Sequence, residues 1–306
     1  MGFARISGPK RLLMPITVSL LAAVGSNSAQ FPQAQTVESG FRLLYELEFE
    51  KARSTFQAWE KDHPQDPLGP AAEAASYLFQ EFYKHGVLTS EFFLDNKRLL
   101  DGIEGKPDPD LRKAFQDSIA RAQDIATQGL KTNPKDTDAL YVLTITTGMQ
   151  GNYAGVLEKH HLQSLKYTQK AESYAKKLLA LKPDSQDAYV ALGASNYIIG
   201  CLPAYKKFAL FFGGIHGDKQ EGIRQLTMAA AHGHYLQPFA KILLALAALR
   251  ERRTALAKTQ LEELTAEFPH NPLFARELSL LNKPTKQVSG DPSSRVGTQV
   301  NSIPGM

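Results

Sequence analysis

One arrangement of small residues, large residues and proline returns along this chain and constrains its fold more than any other feature. Ala52, Phe56, Trp59 and Pro64 stand at offsets 0, 4, 7 and 12. The same offsets hold Ala122, Ala126, Gly129 and Pro134, then Ala171, Ala175, Leu178 and Pro183, and again Ala257, Leu261, Leu264 and Pro269. Gly222, Leu226, Ala229 and His234 fill the frame a fifth time, with His in the place of the proline. Steps of four and three put the first three residues of each set on one helix face. The small residue lets a second helix approach closely, the larger ones fill the space beyond it, and the proline stops the helix. A stripe at Leu236, Phe239, Leu243, Leu246 and Leu249 precedes the set that starts at Ala257, so the two together read as a helical hairpin. Past residue 35 no sustained period-2 alternation is bounded by turn residues, which removes the case for a sheet. The expected fold class is all-α.

These residues resemble the tetratricopeptide repeat family, whose 34-residue unit is a helical hairpin with a closing proline. Counting back from Pro64 puts Gly40, Ala52 and Phe56 at the family's Gly, Ala and aromatic places. Counting forward from Pro183 finds Tyr189, Leu192, Gly193 and Asn196, with Tyr197 one step late. The resemblance covers roughly residues 37–281. It departs from a regular array in the intervals between closing prolines, which are 70, 49 and 86 residues and leave two, fifteen and eighteen to spare. It implies an α-solenoid of about six hairpins, near 37–64, 67–103, 108–149, 160–199, 203–234 and 236–269, with a capping helix at 271–282. Such repeats pack only on their neighbours and curve into a superhelix whose concave groove binds a protein or peptide.

The first 29 residues read as an export signal. Arg5, Lys10 and Arg11 precede the uncharged run Leu12 to Val24, and small residues follow up to Ala29. Thirteen helical residues span only about 20 Å, short of the ~30 Å hydrocarbon core. Cleavage is expected after Ser26 or Ala29, with the mature chain periplasmic or secreted and lacking an integral membrane span. The alternative is an uncleaved helix on the membrane surface, to which Pro15 inside the run lends weight. The formal charge of +4 falls to +1 once these three cations are set aside, which excludes the basic footprint of a nucleic-acid binder. The single cysteine, Cys201, excludes an internal disulfide framework and a Cys-based zinc ribbon, and its default role is a buried thiol. Residues 30–282 then form the repeat domain, and 283–306, without helical stripes, a disordered tail.

Signatures of catalytic chemistry are few. Gly213 to Lys219 lacks the spacing and the hydroxyl of a phosphate-binding loop. Adjacent His160 and His161 point about 100° apart on a helix and are poorly placed to share a metal. His232 and His234 flank Gly233 and could ligate zinc with His216 or Asp218 as a third ligand, or simply close a helix end. The expectation is no metal, no cofactor and no enzyme activity.

The segment from Asn196 to Lys219 departs furthest from the repeat and holds most of the eighteen spare residues. Phe208, Phe211 and Phe212 are either core over the groove or the wall of a pocket, with Lys206 and Lys207 facing an acidic ligand. Tyr189, Asn196, Tyr197, Tyr205, Lys206, Lys207 and His216 are the candidate binding residues. A second aromatic group, Tyr77, Phe79, Phe82, Tyr83, Phe92 and Phe93, covers more than one helix face and suggests surface anchors. After Pro134 and Pro183 the next helices present Asp136, Ala139 and Leu143, and Asp187, Val190 and Ala194, an apolar groove with acidic edges. The expected function is an exported, non-enzymatic scaffold gripping a protein partner in its groove. The alternative is a carrier of a small molecule or lipid, using a pocket at 196–219.

Overall fold

The computed structural model describes residues 36–212 and 215–282, and among them every regular element is a helix. The expected export signal and the expected tail lie outside the described residues. Helix α1 (Val37–Tyr45) pairs with α2 (Phe49–Asp62), and α3 (Leu68–Lys84) with α6 (Pro109–Thr132). Two short helices, α4 (Ser90–Leu94) and α5 (Asn96–Asp101), lie between the members of that second pair. Helix α7 (Thr137–Asn152) runs through a π-helical turn, Tyr153–Leu157, to its partner α8 (His161–Leu181). Helix α9 (Ala188–Cys201) pairs with α11 (Lys219–His232) across an intervening α10 (Ala204–Phe212), and α12 (Gln237–Arg250) with α13 (Thr254–Glu267). A last helix, α14 (Pro272–Asn282), packs on α13.

The repeated signature occupies the second helix of every pair. Ala52, Ala122, Ala171 and Ala257 are buried, as is Gly222 in the same place on α11. The close approach they permit is clearest between α9 and α11, where a Cβ on Gly193 would lie 3.0 Å from the Gly222 carbonyl oxygen and one on Gly222 would lie 2.6 Å from the Tyr197 nitrogen. Within the first and last pairs the turns share one geometry. Leu47 (φ 64°) and Arg252 (φ 58°) take the left-handed conformation. The next amide, of Glu48 or Arg253, donates back to Leu43 or Ala248 at 2.9 and 2.7 Å, a Schellman closure without its usual glycine.

The described residues hold five pairs rather than six. The Pro64–Pro134 interval has the length of two repeats but is one pair, α3 with α6, enlarged by α4 and α5. The expected hairpins 108–149 and 160–199 instead join helices of neighbouring pairs, α6 with α7 and α8 with α9. Counting prolines measures chain length, so an insert plus a lengthened helix counts as a repeat.

The array also closes on itself. The Arg42 guanidinium donates to the Glu267 carbonyl at 3.2 Å, and the Asn271 side chain to the Tyr45 carbonyl at 2.7 Å. Phe41 stacks on Tyr235 at 4.9 Å, Tyr45 packs on Phe268 at 5.4 Å and Phe79 on Phe239 at 5.3 Å. From the insert, α4 reaches α12, and Arg250 donates to the Phe93 carbonyl at 2.9 Å. The inner helices therefore bury one another: α12 is buried on all sides, well beyond the stripe read from its leucines. The aromatic group expected as surface anchors belongs to this core, since Phe79, Phe82, Phe92 and Phe93 are buried and Tyr77 partly so, leaving Tyr83 exposed.

Candidate functional site

Three of the four connections from one pair to the next carry an aspartate that can satisfy free amides at a helix start. Asp66 accepts from the Leu68 amide at 2.8 Å and from the Trp59 indole at 3.0 Å. Asp136 accepts from the Asp138 and Ala139 amides at 3.1 and 2.9 Å, capping α7. Asp187 does something different. Although it precedes α9, its carboxylate crosses to the following connection and accepts from the His234 and Tyr235 amides at 2.7 and 3.0 Å. The Tyr141 hydroxyl donates to the same carboxylate at 3.0 Å, so this buried charge ties α7, α9 and the α11–α12 turn together.

Four such connections, 63–67, 133–136, 182–187 and 233–236, meet at one end of the array around a recess of about 790 Å³. Its inner wall is small and apolar, with Ala126, Gly129, Ala139 and Val142, and Tyr141 and Tyr235 stand beside Asp187. Its rim is acidic: five aspartates line it against one lysine, Lys182, together with His63, His232 and His234. Asp138 and Asp184 are the exposed carboxylates of the set. Burial, then the nearby Asp187 charge, hold the Tyr141 phenol well above its ordinary pKa, and burial followed by Glu38 does the same for Tyr235. Both phenols therefore stay protonated near neutral pH and act as hydrogen-bond donors; Tyr235 donates to Glu38 at 3.1 Å.

None of the seven candidate binding residues lines this recess. Tyr189 is partly buried against the core. Asn196 donates to the Gln225 side chain at 3.0 Å, bracing α9 on α11. Tyr197 is buried, and its hydroxyl reaches the Ala247 carbonyl and Glu251, each at 3.2 Å. Tyr205, Lys206 and Lys207 are exposed on α10, and His216 is exposed with its ring edge-on to Phe211 at 5.0 Å. The recess does collect His232 and His234, but His216 and Asp218 sit before the other end of α11. Fourteen helical residues separate the ends by about 20 Å, so the four do not converge. Among the described residues no group of three or more His, Cys, Asp or Glu is placed to hold a metal ion.

Asp136, Ala139 and Asp187, read from the sequence as part of an acid-edged groove, do border the recess, whereas Leu143 and Val190 are core. What sequence reasoning missed is the α2–α3 connection, especially Asp66, although Pro64-Gln-Asp66-Pro67 repeats the Pro134-Lys-Asp136 pattern. Among known proteins, no family model matches the chain and no curated protein matches it. Among the described residues no helix is long and apolar enough to cross a membrane.

Proposed function

We propose that this chain is an exported, non-enzymatic binding module built from divergent tetratricopeptide-type hairpins, and that it grips a protein partner at the loop-end recess. The observation that carries this reading is the convergence of four inter-hairpin connections on one open recess of about 790 Å³. Loops set on a rigid helical frame are a common place for recognition. The inner helix faces, where a concave groove was expected, are occupied by one another. The acidic rim favours a partner segment carrying lysine, arginine or a free amino terminus.

The test is a pull-down from envelope extracts comparing the natural chain with Asp138→Lys/Asp184→Lys, a variant that spares every carboxylate engaged in capping. Specific proteins recovered by the natural chain and lost by the variant support the proposal. Equal recovery by both moves the interface elsewhere. Native mass spectrometry of the purified protein addresses the carrier alternative: a stoichiometric bound small molecule, with no protein partner, would replace the scaffold reading. Export is checked by sequencing the amino terminus of the cell-fractionated protein, with a start at Asn27 or Gln30 expected.

A further inference from the structure

Helix α10 is built the wrong way round for a helix that folds onto a protein. At 100° per residue, Tyr205, Phe208 and Phe211 fall within an arc of about 120°, and Leu210 lies on the opposite side. Leu210 is half-buried, and the Ile215 amide closes back onto its carbonyl at 3.1 Å. The aromatic arc faces outward: Tyr205 is 71% exposed, Phe208 65% and Phe211 57%. Pro203 follows an extended Leu202, which ends α9 and lets α10 leave its line. Lys206 and Lys207 are exposed, Lys207 about 40° beyond the Phe211 edge of the arc and Lys206 on the side of Leu210, and neither has a carboxylate partner among the described residues. No acidic residue occurs in the sequence between Asp187 and Asp218.

Aromatic rings bordered by a lysine on a short helix suit the boundary between lipid headgroups and acyl chains, where the rings bury and the ammonium group reaches phosphates. A second copy of the same face would set Lys207 against its own counterpart, whereas an anionic bilayer neutralises it and attracts Lys206 as well. We infer that α10 is a peripheral membrane-docking helix that lays Tyr205, Phe208 and Phe211 into the headgroup layer of an anionic bilayer, with Lys207 paired to lipid phosphates and Lys206, on the far side of the helix, held within reach of their negative potential. At nine residues, about 14 Å, it lies along the surface and does not cross. The inference is independent of the loop-end recess.

The test uses the full chain with a local reporter, because the apolar run at 12–24 could itself bring the protein to lipid. In a Trp59→Phe background, Phe208→Trp places the sole tryptophan on α10. Vesicles of phosphatidylcholine with phosphatidylglycerol should shift its emission to the blue, brominated acyl chains should quench it, and pure phosphatidylcholine should do neither. Adding Lys206→Gln/Lys207→Gln should weaken the vesicle response by about thirtyfold, and added salt should weaken it in the parent. As a check without the reporter, Phe208→Ser/Phe211→Ser should lower vesicle co-sedimentation at unchanged helicity. Co-sedimentation of the reporter variant with no shift in its tryptophan emission would overturn the inference. So would a blue shift that needs no lipid and grows with protein concentration, which would mark self-association instead.

Discussion

At the scale of single residues, identical chemistry has opposite consequences in different surroundings. Gly148 and Gly193 both sit inside helices. A Cβ at Gly148 meets nothing within 4 Å, whereas one at Gly193 would press on Leu226 and the α11 backbone. Gly148→Ala should therefore stabilise the protein by up to about 1 kcal/mol, the helix-propensity gain. Gly193→Ala should destabilise it by about 1–3 kcal/mol, the cost of overpacking. Urea unfolding of both variants reads the sign directly. Arg252 is exposed in a left-handed conformation, so Arg252→Gly should raise the stability by up to about 1 kcal/mol, measured the same way. Asp108 caps α6 and accepts from Lys84 at 2.8 Å; chiefly the Lys84 bond, then the Leu111 amide, hold its pKa below the usual 3.8. A depressed carboxylate stabilises the fold above its unfolded pKa and loses that contribution as pH falls through the folded one. Asp108→Asn keeps a capping oxygen, so the gap in stability between the two proteins should be present at pH 6 and should narrow below about pH 4 in an acid titration.

At the scale of elements, the signature of small residue, large residue and proline was legible because it is local: a helix's own residues decide its period, its end and its close-packed face. Which helices pair was less legible, because the insert carrying α4 and α5, together with the long α6, adds about the length of a repeat, and the insert's role depends on reaching α12. Asp187 shows the same limit. In the chain it stands where a capping residue for α9 would, yet its bonds go to residues 46 to 48 positions away. Asp187→Ala should cost about 2–3 kcal/mol, since it removes the partner of two part-buried amides and a tyrosine hydroxyl at once. Thermal melting measures the loss. Asp138→Ala, on the exposed rim of the same recess, should leave the melting temperature almost unchanged, and a comparable drop in both would show that the Asp187 bonds matter little.

At the scale of the whole molecule, closure changes what kind of array this is. Open solenoids are stabilised by nearest neighbours, so their terminal repeats fray first. Here the first pair is bonded to the last through Tyr45, Arg42 and Asn271, and the aromatic core runs across the join. Hydrogen exchange should find α1 and α2 protected to within about tenfold of α7, near the level of global unfolding. Exchange in α1–α2 that is orders of magnitude faster than in α7 would mean that the join adds little. Closure also moves the candidate site, since a filled interior leaves the loop end as the place where connections from four pairs can meet.

Periodicity and punctuation by themselves determined that the chain is helical, where most helices stop and which residues sit at the close contacts between paired helices. Those properties follow from interactions a few residues apart, which the chain carries in its order. The tertiary structure alone decided that the array closes, that Phe79 and Phe92 are core while Phe208 and Phe211 are exposed, and that Asp66, Asp136 and Asp187 gather at one recess. Those outcomes depend on contacts between residues as many as 226 positions apart, such as Asn271 with Tyr45. A helix face is written in the sequence, but what comes to cover it depends on where every other helix has packed.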